Sequence, residues 1–385
     1  MQIAQRILKI EASQSLVMAA RAKAMKAAGI DVVSMSLGEP DMDTPEHIRR
    51  AAQDAVDNHW SHYGPVAGTP TLREAVANYQ NGVNGNAIPW IADDVLVSAG
   101  AKMAIYNAIQ AAVNPGDEVV IPMPSWVSYT EMVKLADGVV VPVQTKYENR
   151  YCLTPDELRK ALTPKTRMLI LCSPNNPTGS VYSREELNAL MQVLRDFPEV
   201  YILADEIYNE IIYEPAMSLS CFSDLAERLI IINGVSKAYA MTGYRIGWLM
   251  SKNKAFVNAC IRLQGQQVTC ATMIAQKAAE AALSGSKECV EQMRQVFAQR
   301  RELICRLASE IPNLKFHQPQ GAFYLFPDVT PWGTGDEVAE QLLEKAHVAV
   351  VSGSAFGCPS CIRLSYAISE SEIRTAMSRI AAMLK

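Results

Sequence analysis

A carboxylate that ends an apolar run, a lysine just past another such run and an arginine eight residues further on are residue types able to hold a charged small molecule. They are Asp205, after Val200-Tyr-Ile-Leu-Ala204, and Lys237 and Arg245, after Arg228-Leu-Ile-Ile-Ile-Asn233. A buried acid usually needs a partner, and Asp205 would favour a nearby cation by charge pairing and a charge-assisted hydrogen bond. The plainer alternative is that it caps the segment that follows. Gly100-Ala101-Lys102 opens a helical stretch, and the free backbone N–H groups at such a start point where an anion would lie. Arg245 can add two parallel hydrogen bonds that a lysine could not reproduce. Asn176, in Asn176-Pro-Thr-Gly179, and Trp126 follow two further apolar runs. A turn-forming Asn-Pro and a core aromatic are their structural readings.

These residues need a scaffold that brings strand ends together. Val95-Leu-Val-Ser98, Glu118-Val-Val-Ile121, Arg167-Met-Leu-Ile-Leu-Cys172, Val200–Ala204 and Arg228–Asn233 are too short for helices and apolar on both faces, as buried parallel strands are. Helical patterns alternate with them, with start signals at Thr154-Pro155 and in the capping box Ser183-Arg-Glu-Glu186. The pattern is that of an α/β fold with a mostly parallel sheet, in which ligands gather beyond the carboxyl ends of the strands. From about Glu280 the chain turns to long charged helical stretches and then to the alternating Gly321–Phe326 and Cys361–Tyr366. This predicts a smaller α/β domain with antiparallel strands.

Bulk properties narrow the function classes. The chain has 385 residues, 49% of them hydrophobic, and a net charge of −4. Such a length can bury a large core, and such a charge gives little support to binding nucleic acid or anionic membranes. No run approaches the ~18 apolar residues of a membrane span, and the first residues lack the pattern of a secretory signal. Nine cysteines, an odd number, read as thiols of a reducing compartment rather than a disulfide framework, so a cytoplasmic protein is expected.

The segment Asn233-Gly-Val-Ser-Lys-Ala-Tyr-Ala-Met-Thr-Gly-Tyr-Arg-Ile-Gly247 resembles the cofactor-lysine segment of class I pyridoxal-5′-phosphate (PLP) dependent aminotransferases. The resemblance extends over nearly the whole chain, through Leu37-Gly-Glu-Pro-Asp41, Tyr63-Gly-Pro-Val-Ala-Gly68, Ser173–Gly179 and Arg363-Leu-Ser-Tyr366, and looks closest to the bacterial aspartate aminotransferases. It implies a large PLP-binding domain over 45–280 and a small domain built from both termini, with 1–44 as arm and part of it and 281–385 as the rest. It also implies that PLP is carried as a Schiff base on Lys237, with Asp205 on the pyridine nitrogen and Tyr208 and Asn176 on the phenolic oxygen. Gly100, Ala101, Lys102, Ser236 and Arg245 would surround the phosphate, and Trp126 would stack on the ring. Tyr63 would reach the phosphate of a neighbouring subunit, which makes the expected unit a homodimer with shared sites. Arg363 would grip the substrate α-carboxylate and Gly38 would line the pocket, leaving Lys237 to move the proton of substrate Cα in a 1,3-shift.

By the same resemblance Lys102, Ser13 and Ser15 would hold a distal carboxylate, which implies transfer of an amino group between L-aspartate or L-glutamate and 2-oxo acids. Helix capping by the serines and a Lys102 that snorkels to solvent are the structural alternatives. Aromatic, broad-specificity and prephenate aminotransferases share much of the scaffold, and PLP-dependent C–S lyases run on similar cages. A PLP-sensing regulator would need a basic DNA-binding arm, for which the residues before Leu37 are too few. Cys358-Pro-Ser-Cys361 has metal-like spacing without a second pair. His59 and His62 could share a helix face without a third ligand, and Gly333-Thr-Gly335 lacks the rest of a dinucleotide loop. No metal is expected.

Overall fold

The two ends of the chain meet: β1 (Val33–Ser34) pairs in parallel with Val348–Ala349. The computed structural model describes residues 3–12 and 14–385, so Ser13 lies outside the described residues. Between the two ends the apolar runs form β2 (Val95–Ser98), β3 (Glu118–Met123), β4 (Val139–Gln144), β5 (Thr166–Cys172), β6 (Tyr201–Asp205), β7 (Leu229–Gly234) and β8 (Gly247–Met250). They make one seven-stranded sheet in the order β2-β8-β7-β6-β5-β3-β4. Only β8 runs against its neighbours, β2 and β7; the other pairings are parallel.

The doubly apolar strands serve two cores. Leu169 and Leu171 of β5 face one cluster with the helix Arg184–Arg195, whereas Met168 and Ile170 face the other with the helix Ala101–Ala112. Each face is buried because a helix layer covers it, as parallel sheets require. Both helix-start signals are realised. Thr154 Oγ1 accepts from Glu157 N at 3.3 Å, and Ser183 Oγ from Glu186 N at 3.1 Å, each Glu returning a bond to the cap backbone. Two strands, β4 and β8, were not among the apolar runs predicted from sequence. β4 is an edge strand containing Pro142, a residue an edge accommodates because one side of its backbone needs no ladder bond.

A smaller antiparallel sheet is made of β9 (Tyr324–Leu325), β11 (Val351–Ser352) and β12 (Ile362–Ser365), in the order β11-β12-β9; β10 (Val348–Ala349) is the partner of β1. The helices Glu288–Ser309 and Glu370–Met383 pack on it around Phe297, Phe323 and Tyr324. Arg300 of the long helix makes a bidentate pair with Asp41 at 2.6 and 2.9 Å, tying the loop after β1 to this unit. His59 and His62 fall in the turn beyond the helix Glu46–Asp57 rather than on its face. Thr334, between Gly333 and Gly335, caps the helix Gly335–Ala346. Among the described residues no helix is long and apolar enough to cross a membrane.

Candidate active site

β2, β3, β5, β6 and β7 all point the same way, so the residues just past them emerge at one edge of the sheet. A cavity of about 450 Å³ lies there, between that edge and the smaller unit. Ala101, Lys102, Trp126, Asn176, Asp205, Tyr208, Ser236, Lys237 and Arg245 line it from the large sheet. Ser15, Gly38 and Arg363 line it from the terminal segments. Gly100 sits behind Arg245, and Tyr63 is outside the cavity, 90% exposed in the single chain.

Asp205 is buried, with both carboxylate oxygens engaged. Oδ1 accepts from Ile207 N at 3.2 Å, the local capping role foreseen as the plainer reading, and Oδ2 accepts from Tyr129 Oη at 2.6 Å. Burial pushes its pKa up to about 6 against the pull of these donors and of Lys237. The Lys237 ammonium donates to Gly38 O at 2.6 Å. Burial, with Arg245 and Arg363 adding repulsion, lowers its pKa to about 8 although Glu39 and Asp205 oppose the shift. Lys237 is therefore an amine that can shed its proton near neutral pH.

Beside Lys237 the helix Ala101–Ala112 starts at Gly100 with no side-chain cap, which leaves its first N–H groups to the cavity edge. Gly100 has φ +88°, and a Cβ there would stand 2.4 Å from Arg245 Nη2. Gly247 is equally constrained, since its Cβ would stand 2.2 Å from Ala101 N. The two glycines thus let a helix start, a strand and a guanidinium crowd one spot. Free N–H groups, the positive end of a helix dipole and Arg245 together are an arrangement suited to an anion.

Arg363, on β12, is buried among neutral partners. It donates to Asn176 Oδ1 at 3.0 Å and to Ser36 O at 2.6 Å, while its Nε has no partner among the described residues. The rings of Tyr324 and Phe356 lie 4.6 and 5.0 Å from the guanidinium carbon. A buried cation held by neutral acceptors and aromatic faces is ready to pair with an incoming carboxylate. Asn175, rather than Asn176, takes the turn role, donating to Pro124 O and Thr178 Oγ1. Lys102 Nζ stands 4.9 Å over the Trp126 ring, and Ser15 lies in the first turn of the helix Gln14–Ala27.

Two cavity tyrosines escaped sequence reasoning. Tyr129, one helical turn past Trp126, donates to Asp205, and Tyr324 meets the Tyr208 hydroxyl at 2.7 Å. Tyr324 also closes on Gly38, where a Cβ would stand 2.6 Å from its hydroxyl. The only sequence signals were their spacings, one turn from Trp126 and an alternating strand position, which suit core tyrosines as well.

Residues 30–380 match the family model described as aminotransferase class I and II. The chain belongs to that family. Among similar proteins, an aspartate/prephenate aminotransferase of Nitrosomonas europaea is 39% identical, over 100% of both chains. An aspartate aminotransferase of Geobacillus stearothermophilus is 42% identical, over 99% of this chain and 98% of its own. The solved aspartate aminotransferase of Thermus thermophilus with maleate superposes with a TM-score of 0.95 at 38% identity, covering 100% of both chains. This aminotransferase thus has the expected α/β fold, and its cavity lies where such sheets collect ligands.

Proposed function

We propose that this aminotransferase uses PLP to move an amino group between L-aspartate or L-glutamate and 2-oxo acids. The observation that carries the reading is one cavity containing a half-buried Lys237 with lowered pKa and a buried Arg363 that, among the described residues, no acid neutralises. The residues fit the cofactor. Asp205, a buried acid, suits a protonated ring nitrogen, and the uncapped helix start with Ser236 and Arg245 suits a phosphate. Trp126 would stack on the ring, and Tyr208 and Asn176 would hold the phenolic oxygen. When bound, PLP supplies an electron sink for the charge left at substrate Cα.

The chain's own residues do the rest. Arg363 holds the α-carboxylate in a fork that turns the Cα–H bond toward Lys237, a positioning effect that favours proton loss over loss of CO2. Lys237 Nζ, in the unprotonated form that its lowered pKa makes accessible, takes the proton from Cα. Gly38 forms the pocket wall beneath Tyr324. Lys102, with Ser15 and Ser13, holds the distal carboxylate of an acidic substrate. In this reading the large unit, 45–280, carries the cofactor groups, and the unit of 1–44 and 281–385 carries the carboxylate grip. Two copies share their sites in the cytoplasm, the exposed Tyr63 of each reaching the partner's phosphate.

An absorbance titration of the PLP-loaded protein tests the proposal. L-aspartate should convert the cofactor band to its amine form, and 2-oxoglutarate should restore it, whereas L-phenylalanine and L-alanine should react weakly. Conversion by an apolar amino acid alone would overturn the acidic-substrate assignment. The Nitrosomonas relative carries prephenate in its name, which makes prephenate the second acceptor to add in the same assay.

A further inference from the structure

Among the described residues outside the catalytic groups, one pair of nucleophilic side chains is placed to react with each other. Cys358 Sγ and Cys361 Sγ are 3.6 Å apart in a turn closed by Cys361 N donating to Cys358 O at 3.2 Å. We propose that Cys358 and Cys361 form a redox-active dithiol site that closes to a disulfide in the presence of a small disulfide oxidant and, on closing, weakens the hold on the substrate carboxylate. The second half rests on Arg363 being the carboxylate grip.

The two sulfurs are unlike. Cys361 is fully buried beside Tyr151 Oη at 3.4 Å, whereas Cys358 is half-buried at the surface of the turn. The neighbouring Cys361 and Ser360 draw the Cys358 thiol down to about 7, despite the opposing effects of burial and Asp328. The pair therefore divides into an attacking and a resolving sulfur. The Cys358 thiolate attacks one sulfur of oxidised glutathione and expels one glutathione thiolate. Cys361, losing its proton, then attacks the Cys358 sulfur of the mixed disulfide and expels the second glutathione. The dithiol loses two electrons and two protons, and the oxidant becomes two thiols.

Closure must draw the sulfurs together by about 1.5 Å, and the surroundings decide what moves. The Cys361 carbonyl accepts from Gly353 N at 2.7 Å and its chain continues directly into β12, so the Cys361 side is fixed. Cys358 follows the short helical turn Gly353–Phe356 and its cap Gly357, and Cys358 N donates to Gly353 O at 2.9 Å. Gly353 is packed between the two cysteines, since a Cβ there would stand 2.1 Å from the Cys358 carbonyl oxygen and 2.5 Å from that of Cys361. The displacement therefore runs through Phe356, whose ring lies against Arg363 and whose carbonyl accepts from Ser125 N at 3.0 Å, one residue before Trp126. One bond in this turn thus bears on both the guanidinium and the ring-stacking segment.

The PLP-loaded protein is equilibrated in glutathione buffers from fully reduced to fully oxidised, its free thiols are alkylated, and the 358–361 peptide is weighed. In the oxidised buffer this peptide should carry no alkyl group and lack two hydrogens. The KM for L-aspartate should rise about fivefold or more with little change in kcat, and dithiothreitol should reverse both. Cys358→Ser, or Cys358→Ala if the serine variant melts early, should abolish the mass change and the KM response together. A 358–361 peptide that stays alkylated in excess oxidised glutathione overturns the site. A closed disulfide with unchanged KM overturns its link to the grip. The mass reading does not depend on transaminase activity, so failure of the proposed substrate would be seen separately.

Discussion

Lys237 sets the pH behaviour of the site. Its folded pKa of about 8 lies below the 10.5 of an unperturbed lysine because burial disfavours the ammonium. The folded chain therefore binds fewer protons than the unfolded chain between those values, and stability rises with pH through that window. The contribution, about 3 kcal/mol, is complete above the unfolded pKa and is lost as pH falls through about 8. Melts of cofactor-free protein against Lys237→Met, which lacks this titration, should differ by that slope. The rate at which cofactor-free protein captures added PLP should rise with pH and level off above about 8. At the other end of the cavity, Arg363→Lys keeps the charge but loses the fork, and should cost roughly 10- to 100-fold in kcat/KM for L-aspartate, about 1.5–3 kcal/mol, as steady-state kinetics will measure. Charged residues at strand ends were legible in the sequence because burial there needs a reason. Tyr129 and Tyr324 were not, since a tyrosine on an amphipathic helix or strand reads as core until its hydroxyl's partner is seen.

The helix Ala101–Ala112 and β8 meet at a contact made possible by Gly247. Replacing it with alanine puts a Cβ 2.2 Å from Ala101 N and 2.6 Å from the Gly100 carbonyl carbon, where only backbone can give way. Gly247→Ala should destabilise the protein by about 1–3 kcal/mol and weaken PLP binding, measured by urea unfolding and by cofactor titration. The apolar runs of β2, β3, β5, β6 and β7 were legible because both of their faces are buried. β4 was obscured by an exposed, proline-containing edge, and β8 by its composition, Gly247-Trp-Leu-Met250 containing no β-branched residue. The helix start at Thr154-Pro155 and the capping box at Ser183 were readable because they are local, resting on residues at most three apart.

At the scale of the molecule, Tyr63 is the residue that the single chain leaves unused. In solution the protein should sediment as a species of twice the 42.3 kDa chain mass. Tyr63→Phe should weaken PLP binding without lowering the melting temperature of the cofactor-free protein; an equal loss of both would make Tyr63 a packing residue instead. Such assembly is the least legible property of a sequence, because exposed apolar residues such as Leu16 and Val268 are ordinary on any surface. The reversed strand β8 has a consequence of its own. A parallel successor to β7 would need a crossover of a dozen residues or more, and its carboxyl end would return to the cavity only after the whole strand. By running backward, β8 begins at that edge, so one short bridge carries Lys237 as it leaves the sheet and Arg245 as it comes back. The amine and the guanidinium are spaced along the chain by a single loop, and an insertion or deletion within it would displace both together.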